Sequence, residues 1–156
     1  MKRTISASIM LAIAGFVSTA FAQQDQEAKA IDAYISKQAR QQRGEEYKEA
    51  RQRIDGDVNR DGAADAVVLY TIESQQGTNN FGQYLAVFAR RHGRLVPLAH
   101  AEVGGKSLRS VELAAVDGNG IRLDTLTNGP DDASCCPSIK GTTRYVVVGR
   151  SLREEK

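Results

Sequence analysis

From residue 44 onward the chain is punctuated too closely for helices to fit between its apolar runs. Residues 64–72 read Ala-Asp-Ala-Val-Val-Leu-Tyr-Thr-Ile, apolar and β-branched. Residues 83–91 and 95–102 flank a turn at Arg91-His92-Gly93-Arg94, and residues 109–116 and 121–126 flank Asp117-Gly118-Asn119-Gly120. Residues 142–148 end the series, residues 48–54 make a short earlier strand, and residues 75–82 form a polar loop. Such runs, bounded by Gly, Asn and Asp, predict strands joined by turns. A parallel crossover needs roughly a dozen residues or more, so these strands are expected to pair antiparallel.

Upstream the period changes. Ala28, Ile31, Tyr34, Ile35 and Ala39 stand at helical spacing, which predicts a helix over residues 23–44 with Lys37, Arg40 and Arg43 on its solvated face. The expected fold is α+β, with an N-terminal amphipathic helix packed on a curled antiparallel β-meander of about six or seven strands.

The first 22 residues have the organisation of an export signal. Lys2 and Arg3 precede an apolar stretch over residues 5–17, and Ala20-Phe21-Ala22 fits the small-x-small cleavage rule. Cleavage after Ala22 would leave residues 23–156 as a single α+β domain in the periplasm or outside the cell. The full chain has 21 basic and 19 acidic residues, and Lys2 and Arg3 account for the whole excess. The remainder is neutral, which gives no case for nucleic acid or an anionic membrane as partner. No later apolar run reaches the ~20 residues of a membrane span.

One loop has metal-binding chemistry. In Asp57-Val58-Asn59-Arg60-Asp61-Gly62-Ala63-Ala64-Asp65, oxygen-bearing side chains occupy positions 1, 3, 5 and 9, and glycine occupies position 6. A hard cation such as Ca²⁺ takes six to eight oxygens, and the glycine permits the sharp turn that gathers them. The competing reading is an acidic turn that binds nothing, since Asp, Asn and Gly are ordinary turn residues. An EF-hand would place a bidentate Glu at position 12, where this chain has Val68, and a helix after the loop, where it has a strand.

The spacing Asp-x-Asn-x-Asp-Gly-x-x-Asp before an apolar strand resembles the calcium loops of FG-GAP and VCBS-type extracellular repeats. That resemblance implies side-chain ligands from Asp57, Asn59, Asp61 and Asp65 and a backbone carbonyl from Ala63, around a structural Ca²⁺. Asp55 lies outside the matched motif. The loop occurs once, without the repeated units of a propeller.

Cys135 and Cys136 are the only cysteines and are adjacent. In an oxidising compartment three outcomes compete: a vicinal disulfide, pairing with another molecule, or a reduced pair holding a soft metal. A redox role is a further possibility, although the Cys-x-x-Cys spacing of oxidoreductases is absent. The segment Asp132-Ala133-Ser134-Cys135-Cys136-Pro137-Ser138 resembles a Cys-Cys-Pro-Ser segment of small exported bacterial proteins, several of which also have the acidic loop. The resemblance implies export and a single domain, and no reaction.

There is no Gly-x-Ser-x-Gly, no His-Glu-x-x-His and no phosphate-binding Gly-rich loop. Gly104-Gly105-Lys106-Ser107 lacks the upstream glycine of such a loop and reads as a turn. The expected function is that of an exported binding or interaction module with a structural Ca²⁺ loop, its partner a protein or cell-envelope component. An inhibitor or immunity-type protein is one specific form. The alternative is a small periplasmic hydrolase using His92 or His100, or a redox or metal-handling protein using Cys135 and Cys136.

Overall fold

The computed structural model describes residues 14–74, 80–106, 108–133 and 135–155, with side chains from residue 22 onward. Lys2, Arg3 and the start of the expected leader lie outside that range, as do residues 75–79 of the expected polar loop. Helix α1 (Ala14–Gln41) begins within the expected leader. No described helix is long and apolar enough to cross a membrane.

From residue 22 onward, Glu27, Ile31, Ile35 and Ala39 are the buried residues of α1, one every four positions, which draws a single stripe along that part of the helix. Lys37, Arg40 and Arg43 are exposed, as expected, but so is Ala28, and the stripe starts on Glu27 instead.

The first sheet contains β1 (Gly44–Glu46), β2 (Gln52–Gly56), β3 (Asp65–Ser74), β4 (Phe81–Arg91) and β5 (Arg94–Gly105). β1 and β2 share one side of β3: β1 pairs with residues 72–74 and β2 with residues 65–69, with a 3-10 turn (Lys48–Ala50) between them. The expected strand over residues 48–54 is therefore a turn followed by β2. β4 and β5 make the expected hairpin, and His92 (φ 50°) and Gly93 (φ 74°) form its two-residue turn, both left-handed as a type I′ turn requires.

The second sheet is a meander of β6 (Ser110–Asp117), β7 (Gly120–Thr127), β8 (Ile139–Val148) and β9 (Ser151–Glu155). Every strand pair in both sheets is antiparallel. The α+β class holds, but among the described residues nine strands in two sheets replace one curled meander of six or seven.

The reason lies in β3 and β4. On β3, Ala66, Val68, Tyr70 and Ile72 pack with Phe88 of β4 beneath Ile31 and Ile35 of α1. The alternate residues Val67 and Leu69, with Leu85 and Val87 of β4, pack against Ile121, Leu123 and Tyr145 of the second sheet. A central sheet that is apolar on both faces needs two covers, and α1 supplies only one. The second sheet is one-sided: Ile121 and Leu123 are buried, and Arg122 and Asp124, which alternate with them, are exposed.

The series of strands expected from sequence ends at residue 148. Gly149 (φ 63°) instead turns the chain back, and residues 151–155 pair with residues 144–148 of β8. At the other edge of this sheet two glutamines of the first sheet reach across. Gln83 Nε2 donates to the Val111 carbonyl (3.0 Å) and Gln83 Oε1 accepts from Val111 N–H (2.9 Å), while Gln52 Oε1 accepts from Leu113 N–H (2.6 Å). The side-chain amides occupy edge groups of β6 that would otherwise be open to another strand.

Candidate metal loop and the cysteine segment

The acidic loop joins β2 to β3 just beyond the Gly56–Asp65 pair. Arg60 (φ 62°) and Gly62 (φ 86°) are both left-handed, which curls the loop and turns its polar side chains inward. Asp57 accepts from the N–H groups of Asp61 (3.1 Å) and Gly62 (2.9 Å). Asn59 Oδ1 accepts from Asp61 N–H and Asp61 Oδ1 from Ala63 N–H, each at 2.9 Å. Asn59 Nδ2 bridges two carboxylates, donating to Asp61 (2.9 Å) and Asp65 (3.3 Å). Asp57, Asn59, Asp61 and Asp65 are thus brought together, with Ala63 entering through its N–H.

Asp65 is the anchor. It is fully buried at 0 % exposure and accepts from the N–H groups of Asn59 (3.3 Å) and Arg90 (3.0 Å). Burial pushes its carboxyl above the usual carboxylate range, with the nearby Asp61 adding to the rise and the backbone N–H groups opposing it. No basic side chain forms an ion pair with it among the described residues. Nor, among those residues, do three or more His, Cys, Asp or Glu side chains stand ready as a metal-holding group. The centre of the loop is bridged by an amide N–H₂.

Asp55 belongs elsewhere. Arg53 pairs with both Asp55 and Glu27 at 2.6 Å, and Arg90 pairs with Glu27 and lies 3.8 Å from Asp55. The Arg90 and Arg53 guanidiniums hold the Glu27 carboxyl down at about 2. Arg90 also donates from Nε to the Ala64 carbonyl (2.8 Å), so one residue joins the acidic loop to α1. Neither Glu27 nor Arg90 was singled out from sequence. The available signal was an acid four residues before Ile31, on the line of the apolar stripe.

The sulfurs of Cys135 and Cys136 are joined to each other, and both residues are exposed. The segment is closed by Asp132, which accepts from the N–H groups of Gly129 (2.7 Å) and Ser138 (2.8 Å) and from the Ser138 hydroxyl (3.0 Å). Those bonds hold its carboxyl below the usual range. The serine of the Cys-Cys-Pro-Ser segment is therefore the clasp of its own loop.

The two histidines differ. His92 occupies the exposed β4–β5 turn. His100 lies beneath α1, its ring stacked on Tyr84 (5.6 Å, 12° between planes) and near Tyr70 (6.4 Å). Its Nε2 and the Tyr70 hydroxyl are buried without a hydrogen-bond partner among the described residues, and burial lowers the His100 pKa. A second polar group missed from sequence joins the sheet ends: Arg109 donates to the Val103 carbonyl, Glu154 and the Tyr145 hydroxyl, each at 2.9 Å. Arg109 holds the Glu154 carboxyl down at about 2. No family model, curated protein or solved structure matches this chain.

Proposed function

We propose that the protein is an exported, periplasmic binding or interaction module whose acidic loop holds a structural Ca²⁺. The observation that carries the metal reading is Asp65, a fully buried carboxylate on which Asn59 and the loop converge, with no basic side chain in an ion pair with it among the described residues. The donor set of three carboxylates, one amide and backbone carbonyls is hard and oxygen-only, which suits Ca²⁺. Asp57, Asn59, Asp61 and Asp65 would hold the ion, with Ala63 contributing its carbonyl. The ion would supply the positive charge that buried Asp65 lacks and would fasten the β2–β3 connection.

The partner would be a protein or a component of the cell envelope, and an inhibitor or immunity-type role is one form of this reading. Both faces of β3 and β4 are packed, so the surfaces left for a partner are loops, sheet edges and the solvent face of the second sheet. The alternative hydrolase reading draws little from His100, whose nearest ring partners are tyrosines. Thermal unfolding with millimolar calcium and with chelator tests the metal, and an unchanged midpoint would sink it. Affinity capture from native envelope tests the module, and recovery of no partner by the folded protein counts against it.

A further inference from the structure

Two like-charged pairs stand directly opposite across neighbouring strands: Arg91 and Arg94 where β4 meets β5, and Glu112 and Asp124 on β6 and β7. All four residues are exposed, and none forms an ion pair among the described residues. Like charges placed this way destabilise a sheet. Elsewhere the fold relieves such a pair: Arg122 and Arg144 are also opposed, and Asp117 and Glu155 meet them. The two unrelieved pairs have opposite signs.

Their surroundings differ in shape as well. The arginines flank the two-residue turn of His92 and Gly93, and a Cβ added at Gly93 would meet no atom within 4 Å, so the turn projects into open space. Glu112 and Asp124 border an open cleft of about 790 Å³ between the two sheets, with Gln52 and Gln83 on its other side. The cleft opens there because the second sheet presents Thr125 and, opposite it, Gly141, which are too small to continue the apolar layer past Leu123. Lys140 also borders the cleft and leaves it with a net negative charge. Strands reverse direction one after another, and Arg60 bonded to Asn119 (2.9 Å) puts the β2–β3 and β6–β7 connections at one end, with the β4–β5 turn. The starts of β6 and β8, which border the cleft, lie toward the other end.

We propose that the chain associates head to tail with a second copy of itself, the β4–β5 turn of one copy seated in the cleft of the next. Arg91 and Arg94 would meet Glu112 and Asp124. Each pair sits on an antiparallel strand pair, so both present their charges from Cα atoms about 4.5–5.5 Å apart. The contact relieves both repulsions at once, and complementary charges fix its register. The full chain has a net charge of only +2, so little overall repulsion opposes the approach of two copies. The two patches differ, which makes the contact heterologous: it repeats from copy to copy unless rotation closes a ring. Neither the acidic loop nor the disulfide takes part.

The test is sedimentation equilibrium of the oxidised, calcium-free protein over a concentration series. The average mass should rise with concentration at about 20 mM salt, and association should weaken at least about tenfold at about 500 mM, where exposed charges are screened. Arg91→Ala combined with Arg94→Ala should leave a monomer, as should Glu112→Gln combined with Asp124→Asn. Unfolding midpoints should stay near that of the parent, since all four residues are exposed. Mixed together, the two variants should form a one-to-one pair, because one keeps its turn and the other its cleft. A parent protein that stays monomeric throughout, or association indifferent to salt or to either pair of substitutions, would overturn the contact. A mixture that fails to pair, or that grows beyond two copies, would overturn the head-to-tail arrangement.

Discussion

The acidic loop and the cysteine segment are built from the same turn-forming residues and are anchored in opposite ways. Each is held by one aspartate that accepts several hydrogen bonds. Asp65 is buried, and its bonds run to Asn59 in its own loop and to Arg90 on β4, which in turn grips Glu27 of α1. Among the described residues Asp132 binds Gly129 and Ser138, within its own segment, and Cys135 and Cys136 beside it are exposed. The first loop is wired to the layers of the fold, whereas the second is a self-contained ring resting on the surface. What a loop does for stability depends on what its anchor touches.

That contrast can be broken by removing each anchor. Asp65→Ala leaves buried N–H groups without an acceptor and should cost about 3 kcal/mol, read from the urea midpoint with an unchanged slope. A loss under 1 kcal/mol would mean the acidic loop is as autonomous as the other. Next in size, Glu27→Gln should cost about 1–2 kcal/mol at neutral pH, since it uncouples α1 from Arg53 and Arg90, both partly exposed.

The same residue predicts a pH response. The Glu27 carboxyl is depressed from 4.5 to about 2, so its contribution is complete above 4.5 and disappears as pH falls toward 2. The unfolding midpoint of Glu27→Gln should therefore vary less over that window than that of the parent protein. Glu154, also held at about 2, keeps its own contribution in both proteins.

Calcium sharpens the comparison further. At ten times its dissociation constant it should add about 1.4 kcal/mol. The gain should shrink as pH falls through the raised Asp65 value, because proton and cation compete for one carboxylate. A gain that is flat with pH would place the ion away from Asp65. The smallest effect is expected at the surface ring: Asp132→Ala should leave the global midpoint near that of the parent. It should speed hydrogen exchange at Gly129 and Ser138, whose N–H groups lose their acceptor.

Much of this architecture is legible in the residues, and the gaps have physical causes. The strands with clear apolar patterns, β3 to β8, and their antiparallel order follow from composition and turn spacing. β9 escaped because its stability comes from Leu152 on one side and from Glu154 reaching Arg109, neither of which makes an apolar run. The two-layer arrangement was written in residues 66–72, where apolar side chains fail to alternate with polar ones; a strand of that kind is covered on both faces. Glu27 escaped because a carboxylate in an apolar stripe is stable only with partners such as Arg53 and Arg90, which arrive from distant parts of the chain. The four oxygen-bearing residues of the acidic loop were legible from their spacing, since they lie close in sequence. The Asp132–Ser138 clasp spans a similar distance but follows no simple period.

The glutamines of the first sheet carry a last consequence. Apolar layers resist separation but tolerate sliding, because methyl groups exchange neighbours at little cost. Gln83, with one donor and one acceptor, fits Val111 at a single offset, and Gln52 fixes a second point two residues further along at Leu113. Two such points set translation and rotation together, so the stacking of the sheets is indexed by polar teeth.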